Sequence, residues 1–164
     1  MPWRRVLRTA LDSELRRGMV DLCGSPKVHR TTGILRPSWA KPLPRVAIVA
    51  DTSGSMTTAG GRVLGEIVGV VRQANAPVDI CWCDVTPQWQ YRVRSRHELR
   101  PRGGGGTDLR PAITAALEVR PKYDLIVVVT DGETPWPANP IPQAYIVTIG
   151  SNVPDGWRGV RVEV

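Results

Sequence analysis

Apolar residues recur along the chain with two periods. Between Trp3 and Arg17, the positions Trp3, Val6, Leu7, Ala10, Leu11 and Leu15 follow helical spacing with arginines between them, which predicts an amphipathic helix. The period returns in Val63, Leu64, Ile67, Val68, Val70 and Val71, predicting a helix from about Thr58 to Asn75. A third helix is predicted in LRPAITAALEV, ending near Val119, with Thr107 or Asp108 as its cap and Pro111 in its first turn. Continuous apolar runs predict buried strands at Arg45–Asp51, Val78–Asp84, Tyr123–Thr130, Gln143–Ile149 and Val160–Val164. QWQYRV (Gln88–Val93) alternates polar and bulky residues, as a half-exposed edge strand does, and Ser95–Leu99 suits a short helical turn. The βαββαβ(loop)ββ order predicts a doubly wound, mainly parallel α/β sheet with helices on both faces.

Residues 18–43 hold Gly24, Pro26, Gly33, Pro37 and Pro42 without a sustained period, and read as an extended linker with at most one short strand. Two regions result: a basic helical arm and linker over 1–43, and a domain over 44–164. A basic amphipathic helix can meet acidic partners or membrane surfaces. Packing its apolar stripe on its own domain produces the same pattern, and that reading is favoured. Gly61, Gly65 and Gly69 recur every four residues in the second helix and suggest close helix-to-sheet packing.

Charge sharpens this division. The 164 residues carry a formal net charge of +7. Residues 1–43 hold nine Lys/Arg against three Asp/Glu, a net of +6, and residues 44–164 hold thirteen against twelve, a net of +1. The basic excess belongs to the arm, so nucleic acid is disfavoured as a partner. Arg92, Arg94, Arg96, Arg100 and Arg102 form a local basic cluster, which a solvated edge guarded against aggregation explains as well as a ligand surface does. Three cysteines, Cys23, Cys81 and Cys83, are too few for a disulfide scaffold and fit a reducing cytoplasm. No window approaches the roughly 20 apolar residues of a membrane span, and no membrane association is expected.

The candidate chemistry lies where strands end. Val46–Met56, VAIVADTSGSM, is a buried strand that delivers Asp51, Ser53 and Ser55 as a D-x-S-x-S array. Ligands of open α/β sheets sit beyond the carboxyl ends of the strands. Thr107 follows a run of four glycines, and Asp131 follows the most apolar strand. Asp51, Ser53, Ser55, Thr107 and Asp131 offer two carboxylates and three hydroxyls. That oxygen set suits Mg²⁺ or Mn²⁺ and is poor for zinc. Hydroxyl ligands leave the ion much of its charge, so an Asp or Glu of a protein partner can complete the shell. The segments that carry the site are also those that caps and turns use.

VAIVADTSGSM, GGGGTD and VVVTDGETPWP together resemble the metal-ion-dependent adhesion site of von Willebrand factor type A (VWA) domains. The TDG-x-TPWP wording resembles more specifically the VWA-like C-terminal domain of a bacterial metallopeptidase-like family. The resemblance covers residues 44–164. It implies direct or water-mediated metal contacts from Ser53, Ser55 and Thr107, with Asp51 and Asp131 acting mostly through water or hydroxyls. It also implies an antiparallel edge strand, here QWQYRV, and partners such as an AAA-type ATPase or a peptidase-like domain. Glu133, Trp136 and Gly106 are the positions expected to meet the partner. Two departures limit the analogy. The only histidines, His29 and His97, form no H-E-x-x-H motif, so the chain is not expected to be the zinc peptidase. The sequence stops on VRVEV rather than on the helix that slides in many VWA domains.

The leading expectation is a non-enzymatic, metal-dependent protein-interaction domain in the cytoplasm. A metal-dependent phosphate-ester hydrolase needs a general base, for which Glu133 or Asp108 is the best candidate. Nucleic-acid binding through the arginine-rich arm and edge is a further alternative, marked by steeply salt-dependent affinity that does not need Asp51. The four-glycine run lacks the Lys-Ser/Thr of a phosphate-binding loop. Cys81 and Cys83 fall on one face of a strand, where packed core thiols are commoner than zinc ligands. Trp136 suits either a partner anchor or a lock on its own loop.

Overall fold

A computed structural model describes residues 2–20, 27–28, 37–38, 44–53, 59–73, 77–83, 87–100 and 108–163. In chain order its elements are α1 (Pro2–Val20), β1 (Lys27–Val28), β2 (Pro37–Ser38), β3 (Val46–Asp51), α2 (Ala59–Gln73), β4 (Val78–Cys83) and β5 (Gln88–Val93). A 3-10 turn at Arg96–Glu98 precedes α3 (Leu109–Glu118), β6 (Leu125–Thr130), β7 (Ala144–Ile149) and β8 (Gly159–Val162). The linker holds two minimal strands rather than one, β1 pairing antiparallel with β2.

The main sheet runs β5-β4-β3-β6-β7-β8. Every pairing is parallel except β4 with β5, so QWQYRV is the antiparallel edge. The fold is therefore the expected mainly parallel α/β sheet. Alternation along β3 builds two cores. Val46, Ile48 and Ala50 pack with α1, α2, Val127 and Val129, whereas Ala47 and Val49 pack with α3, Ile126 and Val128. With both faces covered, no polar side chain fits β3 before its last residue, and all six of its positions are buried.

The N-terminal helix is part of this layering. Trp3, Leu7, Leu11 and Leu15 are buried in the same core as α2. Arg8 Nε lies 2.6 Å from Glu66 Oε1 of α2, and Arg158 Nη1 lies 2.6 Å from Glu14 Oε2, so ion pairs tie α1 on two sides. Val6 departs from the expected stripe and is exposed. The buried residues step by four along α1, and Val6 falls beside that row.

Gly61 and Gly69 of α2 do not make the close packing expected of them, whereas Gly65 between them is half-buried. The buried face comprises Gly60, Val63, Leu64, Ile67, Val68, Val70 and Val71. A Cβ added at Gly61 or Gly69 would meet no atom within 4 Å. The valines and isoleucine claim the sheet side, which leaves Gly61 and Gly69 exposed.

The β4–β5 ladder has a register shift between Val78 and Ile80. Arg92 there adopts a left-handed φ of 55°, and its N–H donates to Asp79 Oδ1 at 2.8 Å. The extra residue switches the alternation, so Val93 joins Val78 in the α1/α2 core while Trp89 contacts the α3 core. Simple alternation along QWQYRV would have put Val93 on the Trp89 side.

Cys81 and Cys83 are buried against α3, as core thiols. Burial first, and the neighbouring Cys83 second, push the Cys81 thiol up to about 12. The Cys83 thiol donates to the Asp108 carbonyl at 3.0 Å.

Two substitutions test the packing in opposite directions. Leu11→Ala is expected to lower stability by about 2–5 kcal/mol through the cavity it leaves. Gly69→Ala is expected to raise stability by about 0.5–1 kcal/mol, because it improves helix propensity without a steric conflict. Urea unfolding followed by circular dichroism reads both.

Candidate metal and partner site

Parallel pairing of β3 with β6 sets Ala50 opposite Val129 and so brings Asp51 to Thr130 at adjacent strand ends. Asp51 is 3% exposed and Thr130 is fully buried. The Thr130 hydroxyl donates to Asp51 Oδ2 at 2.8 Å. It accepts in turn from the Gly132 N–H at 3.0 Å. The Ser53 N–H donates to Asp51 Oδ1 at 2.8 Å, a turn in which the aspartate organises the residue two positions on. Thr52 Oγ1 donates to the Cys83 carbonyl at 2.6 Å and ties the loop to β4.

The β6 end is organised in the same way. Asp131, half-buried, accepts the Glu133 N–H on Oδ1 at 3.0 Å. The Leu109 N–H, at the start of α3, donates to Thr134 Oγ1 at 3.4 Å. Asp108 caps α3 by accepting the Arg110 N–H at 3.0 Å. The Arg110 side chain bonded to it holds the exposed Asp108 carboxyl below the usual carboxylate range. That direction disfavours Asp108 as a general base near neutral pH.

Of the expected metal residues, Asp51, Ser53 and Asp131 stand at the ends of neighbouring strands. Ser55 and Thr107 lie outside the described residues, as does Gly106. Glu133 is exposed. Trp136 is half-buried, with its ring 5.6 Å from that of Trp157. Thr130 is the residue that sequence reasoning passed over. Its place just before Asp131 in T-D-G was the available signal, but only β3–β6 pairing shows that its hydroxyl reaches Asp51.

The two buried aspartates of the sheet differ in their surroundings. Asp79, 7% exposed, receives the Tyr123 hydroxyl at 2.8 Å and the Arg92 N–H at 2.8 Å, and has Arg45 Nη2 at 3.7 Å. Burial, then the hydrogen bond to Asp79, raise the Tyr123 phenol above its ordinary range. Asp51 has two hydrogen-bond donors but, among the described residues, no Lys, Arg or His in ion-pair contact. A buried carboxylate without a cation is costly. Among the described residues, no group of three or more His, Cys, Asp or Glu could hold a metal. The D-x-S-x-S array offers hydroxyl oxygens beside the Asp51 carboxylate.

Gly132 makes the β6 turn possible. Its φ is 91°, and a Cβ there would stand 2.2 Å from Ser151 Oγ. Gly132→Ala is expected to lower stability by about 1–3 kcal/mol through left-handed strain and overlap. Thermal melting measures the loss, and an unchanged midpoint would remove the turn from the site's requirements.

Comparison with known proteins follows this architecture. The chain is similar to an uncharacterized protein of Thermotoga maritima, with 35% identity over 125 residues. The match covers 69% of this chain and 31% of that protein's length. Residues 46–160, from the first core strand into the last, match the family described as a VWA-like domain (DUF2201). With its six-stranded sheet and the Asp51–Thr130 pairing at adjacent strand ends, this chain belongs to the VWA-like domain (DUF2201) family.

Proposed function

We propose that this chain is a non-enzymatic, metal-dependent protein-interaction domain that binds an acidic side chain of a partner through Mg²⁺ or Mn²⁺. Membership of the VWA-like family supports the interaction role in its general form. The observation that carries the metal reading is the buried Asp51 carboxylate, which meets two hydrogen-bond donors and no cation among the described residues. A hard divalent ion would supply the missing charge. Asp51, Ser53 and Asp131, with Ser55 and Thr107, are the residues that would hold it, and neutral hydroxyl donors would leave it electrophilic toward a partner carboxylate.

Of the two candidate bases of the hydrolase alternative, Asp108 is occupied by Arg110 and capping, which leaves the exposed Glu133. The partner classes carried by the resemblance are an AAA-type ATPase or a peptidase-like domain, met at the Glu133 and Gly106 surface. Trp136 contributes by holding the loop. The cytoplasm is the proposed setting. No helix among the described residues is long and apolar enough to cross a membrane.

Asp51→Asn keeps the shape of the side chain and removes its charge. Mg²⁺ at a hundredfold excess over its dissociation constant is expected to stabilise the wild type by about 2.7 kcal/mol, with EDTA reversing the shift in thermal midpoint. Asp51→Asn is expected to show no such shift, whatever stability it has in EDTA, where the lost charge is set against an amide nitrogen facing a hydrogen-bond donor. Pulldown from native lysate should capture a partner in Mg²⁺ and lose it in EDTA or with Asp51→Ala. A full Mg²⁺ response in Asp51→Asn would sink the metal reading.

A further inference from the structure

We propose that an aromatic shelf on the β5 edge, at the pole opposite Asp51, binds single-stranded nucleic acid. The rings of Trp89 and Tyr91 lie 5.7 Å apart with planes 8° from parallel, and those of Trp89 and Tyr123 lie 6.0 Å apart at 13°. The Arg45 guanidinium carbon stands 4.9 Å from the Tyr123 ring centre. Tyr123 is fixed by its hydroxyl bond to Asp79, and Asp79 also holds the Arg92 N–H at the bulge. The shelf is thus built into the sheet, and most of the entropy of ordering its rings is already lost in the free protein.

Tyr91 is 62% exposed, although edge protection needs only the charges around it. Arg92 and Arg94 are exposed and form no ion pair among the described residues. Lys122, also exposed, lines a shallow depression beside Tyr123 with Leu117 and Gln143. The acidic groups nearby are engaged: Asp79 as described, and Asp124 by the Arg45 N–H at 2.6 Å. Residues 88–100 carry four arginines against one glutamate.

Stacked rings on an edge whose Arg92, Arg94 and Lys122 form no ion pair among the described residues match a polyanion whose units have π faces: bases stack on Tyr91 while phosphates meet these cations. An acidic peptide would use the cations and leave the ring face idle. The left-handed φ of Arg92 at a bulge is the kind of local irregularity that clusters beside binding sites. Charge counting disfavoured nucleic acid because it averaged over the whole domain, and the shelf is a local surface. This inference is independent of the metal reading.

Fluorescence anisotropy of the full chain with labelled oligouridylate and oligothymidylate tests it. Binding is expected at low salt, weakening steeply as salt rises and unaffected by EDTA. Tyr91→Ala is expected to weaken it about tenfold, and Tyr91→Trp to retain it. The double substitution Arg92→Gln with Arg94→Gln should flatten the salt dependence. Tyr91 is exposed, so a thermal melt should show each variant folded. Absence of binding at low salt, wild-type binding by Tyr91→Ala, or displacement by polyglutamate as effective as by unlabelled oligonucleotide would overturn the proposal. The last result would assign the surface to an acidic peptide.

Discussion

Everything at the carboxyl end of the sheet depends on β3 being flanked on both sides by parallel strands. Pairing with β4 and β6 satisfies its backbone on both edges, and helices cover both of its faces. Such a strand has no place for a charge until it ends. Asp51 is the first polar residue at that end, and it remains buried because β6 delivers Thr130 beside it. The site is thus a boundary condition of the core: the strand stays apolar to the point where polar chemistry can begin.

The opposite pole solves a related problem differently. Asp79 is also buried on a central strand, but Tyr123, Arg92 and Arg45 converge on it from three other segments. There the protein supplies its own counter-charge and becomes rigid. At Asp51, among the described residues, it supplies two hydrogen-bond donors and no cation. Two carboxylates on neighbouring strands are therefore compensated differently.

α1 shows how far the domain depends on a segment that sequence alone divides from it. Its four buried side chains share the core with α2, and Glu14 and Glu66 anchor it to two different elements. Burying a leucine-sized side chain contributes about 1.5–3 kcal/mol relative to exposure, so the hydrophobic stripe outweighs the surface ion pairs, each worth about 0–1 kcal/mol. Arg4, Arg5 and Arg8 stay at the surface because the leucines take the interior.

Periodicity alone determined the helices, the buried strands, the half-exposed character of QWQYRV and the strand-end position of Asp51 and Asp131. These are local properties: a face must repeat at 3.6 or 2 residues to be buried, and that repeat is written in the chain. Resemblance to the VWA family added the antiparallel edge. Tertiary structure decided what no local repeat contains. It left Gly61 and Gly69 of α2 exposed, moved Val93 to the other core through the Arg92 bulge, and excluded Val6 from the α1 seam. It also separated Asp51 from Asp79, because the partners of a buried charge come from segments distant in sequence: Thr130 lies 79 residues from Asp51, and Tyr123 lies 44 from Asp79. Whether a carboxylate is compensated depends on such long-range meetings, which only the folded chain arranges.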